Sequence, residues 1–162
     1  MAAAAPRRRD TPPPRTGGTE AATLRGFLDY LRASVAAKAE DAPEPQVRTA
    51  GVPSGTNLLG LVHHLTHVER ATFLGVRVTD WQATFQAPAE DSVAEVVARY
   101  REAVESANRV LDECTDLGAQ VPGRGGKGPS VRWALTHMIE ETGRHAGHAD
   151  ILREQIDGGT GR

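Results

Sequence analysis

Cysteine is almost absent from this 162-residue chain: Cys114 stands alone, so no disulfide can form within it and nothing ties the fold to an oxidising compartment. The expected location is the cytosol. Lysine is nearly missing too, with Lys38 and Lys127 against seventeen arginines, a skew read as the mark of a GC-rich genome and not of a binding surface. No apolar run approaches the ~18 residues of a bilayer span, and Arg7, Arg8 and Arg9 lead into Asp10 and the prolines at 12–14 instead of an apolar segment. Neither membrane nor export signal is expected. An excess of one charge is lacking as well, since nineteen Lys and Arg against twenty-one Asp and Glu give a formal −2, which argues against a general hold on nucleic acid or anionic lipid.

What is there describes one soluble domain, with 39% hydrophobic and 25% charged residues. Residues 1–18 join an Ala run, an Arg run, four prolines and a Gly pair with no periodic apolar face, and are expected to be a disordered tail that can be removed without loss of stability. From Thr19, a candidate cap, Leu24, Phe27, Leu28, Leu31 and Val35 recur at helical steps. After a Pro- and Gly-broken connection over 40–56, a second helix starts at Thr56 or Asn57, with its stripe at Leu58, Leu61, Val62, Leu65 and Val68. Residues 74–90 show little period, and Trp81 and Phe85 point to a loop that packs back on the body. Ser92 and Glu95 form a capping box before Val93, Val96, Val97, Tyr100, Val104, Ala107 and Leu111. A glycine-rich connection over 115–129 precedes Ser130, which caps a last helix reaching about Ile156. The fold class is therefore all-α, a four-helix bundle over 19–160 whose long connections exclude assuming the simplest topology.

All six histidines fall on two helices: His63, His64 and His67 on the second, His137, His145 and His148 on the fourth. Each helical residue advances ~100°, so distance from the apolar stripe sorts them. On the second helix His64 lies roughly 95° from the stripe's centre and His63 and His67 roughly 155–165°, so only His64 borders the core and the other two face solvent or a dimer contact. On the fourth, His145 lies roughly 35° and Glu141 roughly 75° from the centre, with His148 near ~95° and His137 near ~115°. Glu141 and His145, four apart, share one face and can chelate a single ion, and His64 could complete the set. Two imidazoles and a carboxylate suit Zn²⁺ with an open position, and also the facial arrangement that holds Fe(II) or other divalent ions. The competing reading is of solvated or hydrogen-bonded side chains on a bundle flank.

At these residues the chain resembles a known group. HHLTHVER together with HMIEETGRHAGHADILREQIDG is similar to the DinB/YfiT-like superfamily of metalloenzymes, in a branch common in actinobacteria, over about residues 20–160. The resemblance implies a four-helix bundle with a metal held by one histidine of the second helix and two ligands four apart on the fourth, here His64, Glu141 and His145. The superfamily's usual first ligand on the fourth helix is histidine, and Glu141 departs from it. Mycothiol-dependent maleylpyruvate isomerase and related thiol S-transferases are similar in carrying glutamate there. The implied cofactors are a divalent ion, zinc before nickel, iron or manganese, and a low-molecular-weight thiol such as mycothiol. The implied reaction is transfer of the thiol to a small electrophilic substrate, or its isomerisation, with His148 or His137 as outer partner or proton acceptor. A homodimer is expected; metal-dependent hydrolysis and a non-catalytic ligand-binding bundle are the rival functions.

Other motifs carry less. GRGGKG at 123–128 lacks the spacing and the hydroxyl of a phosphate loop and reads as a linker. His63 and His67 form HxxxH, but no HExxH exists. Cys114 reads as a small buried hydrophobe, and Trp81 and Trp133 as packing residues.

Overall fold

Each helix begins where a short polar side chain accepts a free backbone N–H, a contact that stabilises a helix by about 1 kcal/mol. Thr19 Oγ1 accepts from Ala22 (3.1 Å) and starts α1, Glu20–Glu40; Asn57 Oδ1 accepts from Gly60 (2.8 Å) and starts α2, Leu58–Leu74. Ser92 and Glu95 exchange bonds as a capping box before α3, Val93–Asp112, and Ser130 Oγ accepts from Trp133 (3.2 Å) before α4, Val131–Asp157. These are the four expected helices. The computed structural model describes residues 11–15, 17–122 and 128–160, so most of the expected tail and GRGGK at 123–127 lie outside the described residues.

Two apolar clusters fill the bundle. One gathers Val35, Leu61, Val97 and Leu152, the other Leu28, Phe73, Leu111 and Leu135. The order in which each helix meets them sets its direction: α1 and α4 run from the second cluster to the first, α2 and α3 from the first to the second. Because α1 packs chiefly on α4 and α2 chiefly on α3, the closest neighbours are parallel, while α1–α3 and α2–α4 contacts close the square. This explains the long connections. To lie parallel to α2, α3 must begin beside the start of α2, and residues 75–92 have to carry the chain back along it.

That returning segment fixes the site. Gly75 ends α2 in the left-handed region (φ 66°), and a single 3₁₀ turn, Ala83–Phe85, then docks on α2 at Gly60. A Cβ on Gly60 would collide with the carbonyl oxygen of Phe85, so only glycine allows this approach. Gly60→Ala is expected to lower stability by about 1–3 kcal/mol, the usual cost of overpacking; an unchanged urea midpoint would show that the segment has room to spare.

Covered by α3, α4 and the segment, α2 is buried well beyond the stripe read from the sequence. The burial includes Glu69, which is 0% exposed. Arg32 of α1, 3% exposed, meets it with two bonds, Nε to Oε1 at 2.7 Å and Nη2 to Oε2 at 2.6 Å. Arg32 Nη1 also donates to Asp29 Oδ1 and Asn108 Oδ1, each at 2.9 Å. A polar layer thus lies between the two apolar clusters and joins α1, α2 and α3. Cys114, expected to be buried, is half-buried, and its Sγ donates to the Asp116 carbonyl at 3.0 Å.

Candidate metal centre and cavity

On the α2–α4 side of the bundle the polar layer becomes a cluster of ligand-type atoms. His64 from α2 and Glu141 and His145 from α4 each present one such atom, and the three lie within 4.8 Å of one another. His64 Nε2 is 3.4 Å and His145 Nε2 3.1 Å from the same oxygen, Glu141 Oε1. The sequence-derived trio is brought together. Burial pushes both imidazoles below the ordinary histidine value, against the pull of Glu141, so at neutral pH their nitrogens keep the lone pairs a metal needs. Burial works against the Glu141 charge, but the His145 and His64 imidazoles outweigh it and hold the carboxyl below its usual range. Two neutral nitrogens and an ionised oxygen facing a shared point fit a divalent cation.

His64 is gripped from outside. Its Nδ1 lies 2.7 Å from Thr84 Oγ1, and its ring stacks on Phe85 at 3.9 Å between centroids and 12° between planes. His145 contrasts with it: the Nδ1 atom is buried with no hydrogen-bond partner among the described residues.

The other histidines divide. His63 and His67, expected to face solvent or a dimer contact, are half-buried. His63 Nδ1 lies 2.7 Å from the Thr84 carbonyl oxygen, and the two rings meet edge to face at 4.8 Å. His148 is exposed, with its ring centroid 5.6 Å from that of His145. His137 stacks on Trp133 at 4.8 Å.

A cavity of about 680 Å³ opens over the trio, walled by His64, Glu141 and His145 together with Trp81, Phe85, Trp133, His137 and Arg144. Arg144 is paired with Glu140. The tryptophans are not the packing residues expected: Trp81 is 46% and Trp133 54% exposed, and both line the cavity. His148 is not among the lining residues. Thr84 carried no readable sign in the sequence, and Phe85 only that of a loop packing back on the body, since no period marks residues 74–90 and their role depends on where that segment docks.

Fold and site together define a DinB-like helical bundle with a His–Glu–His cluster in the wall of an aromatic-lined cavity. Among the described residues no helix is long and apolar enough to cross a membrane. The family described as Mycothiol-S-transferase matches residues 23–158, and the chain belongs to that family. No curated protein sequence matches the chain.

Proposed function

We propose that the protein is a metal-dependent thiol S-transferase that joins a small thiol, mycothiol by its family, to an electrophile held in the same cavity. The observation that carries the reading is the set of two imidazole nitrogens and one carboxylate oxygen within 4.8 Å of one another. Family membership supports the thiol. His64, Glu141 and His145 are the ligands, and their donor set suits zinc first, with nickel, iron and manganese compatible. A divalent ion held by these three side chains would keep a position for a thiol and would lower its pKa, supplying thiolate at neutral pH.

The remaining steps belong to the chain's own groups. His137, in the cavity wall one helical turn before Glu141, receives the thiol proton. The sulfur forms a C–S bond while the electrophile loses its leaving group with the bonding pair, or while a conjugated double bond takes a proton at its neighbouring carbon. Trp81 and Trp133 hold the flat, apolar part of the electrophile, and Phe85 keeps water from the face of His64. His148 braces the ring of His145.

The test uses protein purified without a His-tag and loaded with each metal in turn. It is expected to consume thiol and 1-chloro-2,4-dinitrobenzene in equal amounts, releasing one chloride per thioether, and to slow at least tenfold after chelation. Ester cleavage without thiol, and no thioether with it, would replace this reading by metal-dependent hydrolysis. Failure of both would leave a non-catalytic bundle.

A further inference from the structure

We propose that Thr84 is a positioning residue of the metal centre, fixing both the tautomer and the ring direction of His64. The inference rests on the three-ligand reading given above. A threonine hydroxyl has one proton, and a carbonyl oxygen can only accept. Thr84 Oγ1 lies 2.6 Å from the Trp81 carbonyl oxygen, so its proton is committed there. The contact from Thr84 Oγ1 to His64 Nδ1, at 2.7 Å, therefore has the imidazole as donor. A neutral His64 carrying its proton on Nδ1 leaves the lone pair on Nε2, which lies 3.4 Å from Glu141 Oε1. In the metal-free chain that carboxylate favours a proton on Nε2 instead, and the shorter 2.7 Å contact to Thr84 decides the competition. The Nδ1–H form is the tautomer a metal requires at Nε2, set by an outer partner in the way that metal-bound histidines commonly are.

Thr84 is itself held firmly enough to impose this. It is 5% exposed, its N–H donates to the same Trp81 carbonyl at 3.2 Å, and its own carbonyl accepts from His63. Adjacent histidines of α2 thus grip one residue, His63 by its backbone oxygen and His64 by its hydroxyl. Phe85, the next residue, lies flat on the His64 ring and opposes rotation. Among the described residues His145 has no such hydrogen-bond partner on Nδ1, so a tautomer-setting hydrogen bond is found on the α2 ligand. Because the carbonyl that receives the Thr84 proton belongs to Trp81, the backbone that carries a cavity-wall tryptophan also orients a ligand.

Two readouts test this on the full chain without a His-tag. In metal-free wild-type protein, long-range ¹H–¹⁵N correlation spectra are expected to show His64 as the Nδ1–H tautomer; the Nε2–H tautomer would overturn the proposal with no variant needed. Zinc affinity, measured by competition with a chromogenic chelator, is expected to fall about 10–100-fold in Thr84→Val, which keeps the shape and loses the hydroxyl, and to stay within about threefold in Thr84→Ser. Equal affinity in Thr84→Val and wild type, or equal losses in the valine and serine variants, would overturn it. A wild-type chain that binds none of zinc, nickel, iron or manganese would remove the three-ligand reading, and the tautomer would still decide whether Thr84 orients His64.

Discussion

Replacing His64, Glu141 or His145 with alanine is expected to abolish the divalent-ion binding proposed for the cluster. Each contributes one of three donor atoms, and removing one leaves a pair that binds as weakly as many surface pairs do. The fall in affinity should be at least about 100-fold, exceeding the 10–100-fold typical of losing an outer partner. Metal per chain after dialysis, measured by elemental analysis, gives the result directly. His67→Ala should retain one ion per chain, because its ring touches His63 and not the cluster. His63→Ala should also retain it at saturating metal, since His63 acts on Thr84 and not on the shared point. If His64→Ala kept the ion while His63→Ala or His67→Ala lost it, the assignment of α2's ligand would fall.

Glu69→Ala should be the most damaging change to stability away from the cluster, at about 3–5 kcal/mol, because it strands the Arg32 guanidinium in a place where water does not reach. Asp29 and Asn108 would still hold one nitrogen of Arg32, but the two bonds to Glu69 would have no replacement. A domain of this size is stable by only about 5–15 kcal/mol, so the loss is a large part of the whole. Replacing both partners by apolar residues, Arg32→Met with Glu69→Leu, should restore most of it, since neither charge is then buried alone. Urea unfolding of the two variants decides the matter; a single variant within about 1 kcal/mol of wild type would mean that water reaches Arg32.

How much of this was legible follows from the range over which each signal acts. Thr19, Asn57, Ser92 and Ser130 announced the helix starts because a cap acts within three residues. The cluster on α4 was legible for the same reason: Glu141 and His145 are neighbours on one face, and the apolar stripe gave their direction. His64 was found by its phase on α2, but the same count misplaced His63, which meets a segment returning from further along the chain, and His67, whose ring packs on His63. Trp81 and Trp133 were misjudged for a related reason. Their exposure depends on a cavity formed by α2, α4 and two connections, which no stripe on a single helix records. The Arg32–Glu69 pair did leave a trace: Arg32 stands four residues after Leu28 and Glu69 four after Leu65, each a charge placed on an apolar stripe, with opposite signs.

The parallel pairing of α1 with α4 and of α2 with α3 has a kinetic consequence. In an up-and-down bundle each helix can dock on the one made just before it, and such local contacts favour fast folding. Here the main partner of α1 is the last helix, and α2 meets α3 only after the chain has travelled back along its length. Loop-closure entropy must be met before either interface repays it, so the transition state must already join distant parts of the chain. His64 and Glu141 come together only when α4 has docked, and a chain still short of its last helix holds a single residue of the cluster's three.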